Sequence, residues 1–185
     1  MILVIVCKLT AMLIIDNYGI ELKQLTKNKI ELLRMWRNDP KISQYLITRT
    51  YITPEMQAKW FQSISNSKCY YFMINCQGED IGLVNLKDID YEKKCAEPGI
   101  FIYEDNYLNG DISFRAALNN MDFAFDVLRL ESLYGYVLKE NRRARRFNSA
   151  LGYTVAPNQE DESIQLYRVS KDQYYIAREK IRSIL

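Results

Sequence analysis

Residues Lys139 to Tyr153 read KENRRARRFNSALGY, with Arg142, Arg143, Arg145 and Arg146 around Ala144 and a Gly-aromatic pair at the end. Guanidinium groups at that density bind oxyanions through charge and a planar fork of donors. Three readings compete for them: a nucleic-acid patch, a solvated helix face, and a holder for a smaller phosphate. A second stretch bears on the choice. In GIFIYEDNYLNGDISFRAAL, residues 99–118, a loop containing Gly110 joins a strand pattern to a helix pattern. A helix amino terminus offers unpaired N–H groups, and glycine lets an anion approach closely. Two such helix starts, each following a strand of one sheet, can converge on one polyphosphate.

Composition narrows the field. The 185 residues carry 25 basic and 23 acidic side chains, a net charge of +2. Binding to nucleic acid through phosphate neutralisation calls for a clearer basic excess, so no nucleic-acid partner is expected. The chain has no histidine. Ser-His-Asp and Cys-His catalysis are excluded with it, as are His-ligated metals. Cys7, Cys69, Cys76 and Cys95 form no CxxC pair. Buried thiols in a reducing cytoplasm are expected, with no metal. The opening MILVIVCKLTAMLII is apolar, but Lys8 interrupts it and it is shorter than the roughly 20 residues of a spanning helix. It also lacks the basic start of a signal peptide. Residues 1–16 are expected as an added strand or packed extension, and 17–185 as one domain, with no membrane partner.

The elements that must position these groups are legible from periodicity. YGIELKQL alternates as a strand, TKNKIELLRMWRNDP predicts a helix opened by Thr26, and TPEMQAKWFQSI a second capped by Thr53 with Pro54 behind it. CYYFMINC and DIGLVNLKDID flank the turn QGE as a hairpin, and EPGIFIYE supplies the next strand. Phe114, Leu118, Met121 and Phe125 recur at helical spacing, which reads as a core stripe. SLYGYVL follows as a strand, and Asn141 caps the arginine helix. Ala144, Phe147 and Leu151 form its inner face and Gly152 ends it. GYTVA, SIQLYRVS and the helix KDQYYIAREKIRSI close the chain. The order β-α-α-β-β-β-α-β-α-β-β-α predicts an α/β (α+β) domain on a mainly antiparallel sheet.

This order, together with the two quoted stretches, resembles the GCN5-related N-acetyltransferase (GNAT) superfamily over residues 18 to 170. KENRRARRFNSALGY is similar to that family's N-x-x-A-x-x-x-[YN]-x-x-x-G-[FY] pattern. LRMWRNDPKISQYL, ITPEMQAKWF and AEPGIFI look closest to transferases acting on nucleotide-linked amino sugars, of the pseudaminic acid pathway type. They are also similar to ribosomal-protein N-terminal acetyltransferases. The resemblance implies a twisted sheet with helices on both faces, acetyl-CoA as co-substrate, and acetyl transfer to a primary amine. Rival readings are acetylation of a protein amino terminus or small amine, and a non-catalytic acyl-CoA-binding module. A homodimer is a candidate assembly.

Site residues follow from the resemblance. The main chain of Phe101, Ile102 and Tyr103 is expected to donate to the acetyl oxygen and pantetheine arm. Leu108, Asn109, Gly110, Asp111, Ile112 and Ser113 occupy the phosphate loop, where only the glycine keeps the family's [QR]-x-x-G-x-[GA] pattern. Asp111 is expected to add negative charge there, and Ile112 to limit approach. Asn141, Arg143 and Ala144 begin the second helix. Asn148 stands where the family commonly has an acidic tyrosine, so Tyr103 or Tyr136 is the alternative proton donor. Glu97 is the expected base, acting through water. Arg37, Asn38, Trp60 and Asn85 are expected to meet the acceptor, with one of Trp60 and Phe61 facing outward.

Overall fold

The computed structural model describes residues 3–7, 12–108 and 110–185. The chain opens with strands β1 (Leu3–Cys7), β2 (Met12–Asn17) and β3 (Ile20–Gln24), then helices α1 (Ile30–Asn38), α2 (Pro40–Ser43) and α3 (Pro54–Ser63). Strands β4 (Tyr70–Cys76), β5 (Glu79–Asp90) and β6 (Cys95–Ile102) lead to α4 (Ile112–Asp122). After β7 (Ser132–Leu138) come α5 (Arg142–Ala150), β8 (Thr154–Val155), β9 (Ile164–Ser170) and the carboxy-terminal α6 (Lys171–Arg182). The strands form one sheet in the order β1-β2-β3-β4-β5-β6-β7-β9-β8. Every neighbouring pair is antiparallel except β6 and β7. The expected mixed, mainly antiparallel α/β sheet with a terminal helix is thus present, and strands fall within the apolar opening.

Local chemistry explains most boundaries. Tyr18-Gly19 and Gln77-Gly78 all have φ between 53° and 88°, as two-residue hairpin turns require. Thr53 Oγ1 accepts from Met56 N at 3.2 Å, with Pro54 at the first helical position. Thr26 does less than expected. A 3-10 turn over Lys27–Lys29 precedes α1, and Thr26 accepts no cap bond. Asp39 ends α1 and caps α2 instead, its carboxylate accepting from Lys41 N at 2.9 Å.

Both sheet faces are covered. Phe72 and Ile74 of β4 pack with Val84, Leu86, Leu118 and Met121 under α4, whereas Met73 between them points the other way, to Leu33, Trp36 and Leu83 under α1. That split is the two-residue period of a strand buried on both sides. The predicted stripe holds: Leu118, Met121 and Phe125 are buried and Phe114 partly so. Beyond Asp122 the helix widens into a π turn over Phe123–Val127.

The parallel contact between β6 and β7 is short. Only Cys95↔Ser132 and Ala96↔Leu133 pair. Beyond them β6 stays bonded to β5 and β7 to β9, so the two strands splay and leave a gap in the middle of the sheet.

Candidate active site

Strand alternation determines which backbone groups face the gap. Tyr103 N–H donates to Ile81 O at 2.8 Å on the β5 side, while Lys94 O accepts from Glu131 N at 2.8 Å on the β7 side. Successive strand residues turn their amides to opposite edges. Both anchors therefore agree that the main chain of Ala96, Pro98, Ile100 and Ile102 faces the gap, and that of Glu97, Gly99, Phe101 and Tyr103 faces β5. Pro98, without an N–H, sits where no ladder bond is lost. Of the expected donors, Ile102 turns its N–H to the gap, whereas Phe101 and Tyr103 turn theirs to β5. Ile100, missed in the sequence, joins Ile102.

The two helix starts lie side by side at the mouth of this gap. Arg143 Nη2 donates to Leu108 O at 2.7 Å, and the Phe114 and Phe147 rings pack with centroids 4.8 Å apart. Asn109 lies outside the described residues. Space above Gly110 is open, with nothing within 4 Å of an added Cβ. Asp111 forms no side-chain cap on α4 and pairs with Arg115 at 2.6 Å, which holds its carboxyl below the usual range. The negative charge expected at the loop is therefore balanced. Ile112 packs against the core, so its bulk is turned inward rather than toward a ligand. Ser113 is half-buried in the first turn. Asn141 Oδ1 accepts from Ala144 N at 3.0 Å and so closes one amide of α5. Among the arginines, Arg145 is held by Tyr167 Oη and Lys139 O, while Arg142 and Arg146 stay exposed. Asn148, one turn beyond Ala144, is half-buried, and its side-chain amide makes no hydrogen bond among the described residues.

On the sheet face under α1 and α3, Asn85 lies across from Gly99. A Cβ on Gly99 would sit 2.6 Å from Asn85 Oδ1, so the missing side chain makes room for this amide beside the splay. Glu97 shares that face, but Lys87 Nζ stands 3.0 Å from its carboxylate. The expected base is therefore ion-paired in this structure. Tyr103 stacks on Trp36 at 5.1 Å and donates its hydroxyl to Asp39 at 3.0 Å, which removes it as a proton donor. Tyr136 remains exposed on β7, beside an open cleft of ≈ 500 Å³ that Tyr134, Cys95 and Asp88 also line.

The acceptor residues divide. Asn38 grips the Ile52 backbone through both its oxygen and its nitrogen, each at 2.8 Å, so it builds a wall and is corrected as a ligand contact. Trp60 packs edge-on to Tyr71 at 5.0 Å, and Phe61 packs on the same core, so neither ring is the outward one expected. Arg37 is half-buried and has no carboxylate within 4 Å among the described residues. Burial lowers its pKa, and a guanidinium stays protonated there. Burial also pushes its neighbour Tyr71 up to about 12, so that hydroxyl does not neutralise it.

The family model for the acetyltransferase (GNAT) domain matches residues 20–154. The chain belongs to that family. Spermidine N(1)-acetyltransferase of Escherichia coli K12 is 29% identical over 139 residues, covering 75% of this chain and 74% of the relative. Acetyltransferase PseH of Campylobacter jejuni serotype O:2 is 26% identical over 156 residues, covering 83% and 87%. Among solved structures, spermidine N-acetyltransferase from Vibrio cholerae, in complex with CoA and spermine, superposes with a TM-score of 0.76 at 21% identity, covering 86% of this chain and 99% of that one. C. jejuni PseH superposes at 0.61, also at 21% identity, covering 83% and 99%. As a GNAT member the protein is an N-acetyltransferase that uses acetyl-CoA. The residues present fit that group. An unpaired β6 edge, open space at Gly110 and a guanidinium reaching across two helix starts suit a long polar arm ending in a diphosphate.

Proposed function

We propose that the acceptor is a primary amine on a nucleotide-linked amino sugar, acetylated in the cytoplasm. Charge on the acceptor face carries this reading. A polyamine needs free carboxylates, whereas Glu97 is held by Lys87 at 3.0 Å and Asp90 by Lys93 at 3.3 Å, leaving Asp88, 3.8 Å from the same Lys87, as the least engaged acid of this patch. At the end of α1, Arg37 has no carboxylate within 4 Å among the described residues, while Asp39 beside it is engaged by Lys41 N and Tyr103 Oη. A half-buried cation with no counterion favours a ligand that supplies one.

Acetyl-CoA, when bound, would supply an activated acyl group, and the Gly110 loop, the first turn of α4 and Arg143 would hold its diphosphate. The chain's own groups do the rest. Ile100 and Ile102 N–H groups face the gap and donate where negative charge develops on the acyl oxygen. Asn85 orients the acceptor beside Gly99. Glu97 takes a proton from the attacking amine through water once Lys87 shifts. Asn148 donates a hydrogen bond toward the departing thiolate, with Tyr136 as the group on this side able to supply a proton.

The test is thiol release from acetyl-CoA with nucleotide-linked amino sugars, spermidine and amino-terminal peptides offered in parallel. Preference for the sugar by about 100-fold in kcat/KM supports the reading. Preference for spermidine or a peptide, or no release with the sugar, overturns it.

A further inference from the structure

We infer that a second anion site lies between the end of α1 and the segment 43–52, and that it receives the diphosphate of the acceptor. Sequence reasoning left this segment unassigned, although LITRTYIT surrounds Arg49 with hydroxyl residues. A cavity of ≈ 80 Å³ opens here, bounded by Arg37, Arg49, Ser43, Thr48, Thr50 and Tyr51. It has room for roughly five waters or one small oxyanion. No acidic residue lines it among the described residues.

Two features make this a built site rather than a surface dent. First, its wall is fixed in advance. Asn38 clamps Ile52 at both backbone groups, and Arg34 Nη1 adds a third bond to Ile52 O at 3.0 Å. Second, its two arginines keep donors in hand. Arg49 uses only Nε, on Leu46 O at 3.2 Å, which leaves its terminal nitrogens available, and Arg37 has no carboxylate partner. Arg34, one turn before Arg37 on α1, shows the contrast: Glu31 engages it at 2.6 and 2.8 Å. Two guanidinium groups with hydroxyl donors between them match the oxygens of a phosphate or diphosphate.

The position suits an acceptor that is long and anionic at one end. Arg37 borders the cavity and lies near Tyr71, which pairs with Asn85, which in turn pairs with Gly99 at the splay. Two strand spacings, about 10 Å, separate Tyr71 from Gly99. A sugar ring attached to a diphosphate spans that interval. The assignment rests on the acceptor reading above only for the name of the ligand; the anion site stands on its own residues.

The experiment titrates inorganic pyrophosphate into protein saturated with coenzyme A, so that the coenzyme's own diphosphate site is filled. Arg49→Met changes an exposed side chain and is expected to weaken binding roughly 10-fold or more, and Arg37→Met by as much again. Arg182→Met, an equal loss of charge on α6, is expected to change it less than twofold. Absence of binding, or binding that both cavity variants leave within twofold, overturns the site. With a nucleotide-linked amino sugar as acceptor, Arg49→Met should raise KM and spare kcat. Turnover of such a sugar with KM indifferent to both variants sinks the subsite and spares the transferase. Pyrophosphate binding through these residues without turnover of any such sugar does the reverse.

Discussion

Two arginines on opposite faces of the sheet meet opposite fates. Arg178 on α6 lies 2.9 Å from Asp122, whose carboxylate also accepts from Tyr18 at 2.5 Å and Tyr174 at 2.6 Å. Asp126 stands 3.6 Å from the same guanidinium. Burial and then the Asp122 carboxylate push both tyrosine hydroxyls up, so they remain donors at any physiological pH. This cluster ties the β2-β3 hairpin, α4 and α6 together, and no polar group in it waits for a ligand. Arg37 is half-buried on the other face, without a carboxylate within 4 Å among the described residues. A satisfied network holds a fold, whereas an unsatisfied guanidinium costs stability until something binds it. The α6 side therefore reads as scaffold and the α1 side as recognition.

That contrast breaks most visibly at Asp122. Asp122→Ala leaves Arg178 and two tyrosine hydroxyls facing a void in a nearly fully buried site. The expected cost is about 3–5 kcal/mol, which lowers the melting temperature by about 10 °C for a chain of this size. Thermal melts check it, and kcat per folded molecule should stay close to the parent's. An unchanged melt would mean that the cluster is not scaffold.

Gly99→Ala sharpens the other side. The new methyl meets Asn85 Oδ1 at 2.6 Å, a side-chain atom that can turn away. Stability should fall by about 1 kcal/mol or less, while KM for the acceptor rises roughly 10-fold if Asn85 orients it. Gly82→Ala is the control for backbone crowding. Its methyl lands 2.3 Å from Phe101 O, a main-chain atom that moves only with the strand. Loss of stability with Gly82→Ala, against loss of acceptor affinity with Gly99→Ala, separates packing from positioning.

What could be read in advance divides along the same line. Caps and stops such as Thr53-Pro54, Asn141 and Gly152 are local, as is the Leu118-Met121-Phe125 stripe, and each appears where the residue types require. The helix starts that meet through Arg143 and Leu108 were legible because cap, glycine and arginine run all lie within short stretches. Charge partners across strands were not. Lys87 beside Glu97, and Asn38 on Ile52, depend on register and on chain reversals that no window of sequence contains. The direction in which the Tyr103 and Phe101 amides face was hidden for a similar reason. Which strand edge receives an amide depends on a neighbour's hydrogen bond, here to Ile81.

A smaller effect is expected at the helix starts. Arg143 is exposed and among the described residues its hydrogen-bond partner is Leu108 O, so Arg143→Ala should leave the melt within about 0.5 kcal/mol. KM for acetyl-CoA should rise about 5- to 10-fold, because one charge-assisted contact to a phosphate is removed. Equal loss with Arg142→Ala would show that general positive charge, rather than the bridge from Arg143 to Leu108, is at work.

The smallest effect concerns pH and the loop before α4. Asp111 is held below the usual carboxylate range by the hydrogen bond from Arg115, a guanidinium that also donates to Tyr18 O and Leu185 O at 3.0 Å. A carboxyl whose folded pKa is depressed contributes stability above its unfolded value of about 3.9, and loses it as pH falls through the folded value. Acidification below about pH 4 should therefore release Asp111 from Arg115 and loosen the first turn of α4. Asp111 is 43% exposed in its side chain, so solvent screening holds the contribution to about 0.5 kcal/mol or less. Hydrogen exchange at the first-turn amides of α4 gives the local readout. In Asp111→Asn the protection of those amides, their exchange relative to the intrinsic rate at each pH, should no longer change across this range. If their protection still rises with pH through it, another carboxylate controls the loop, and the balance of charge at the Gly110 end has a different source.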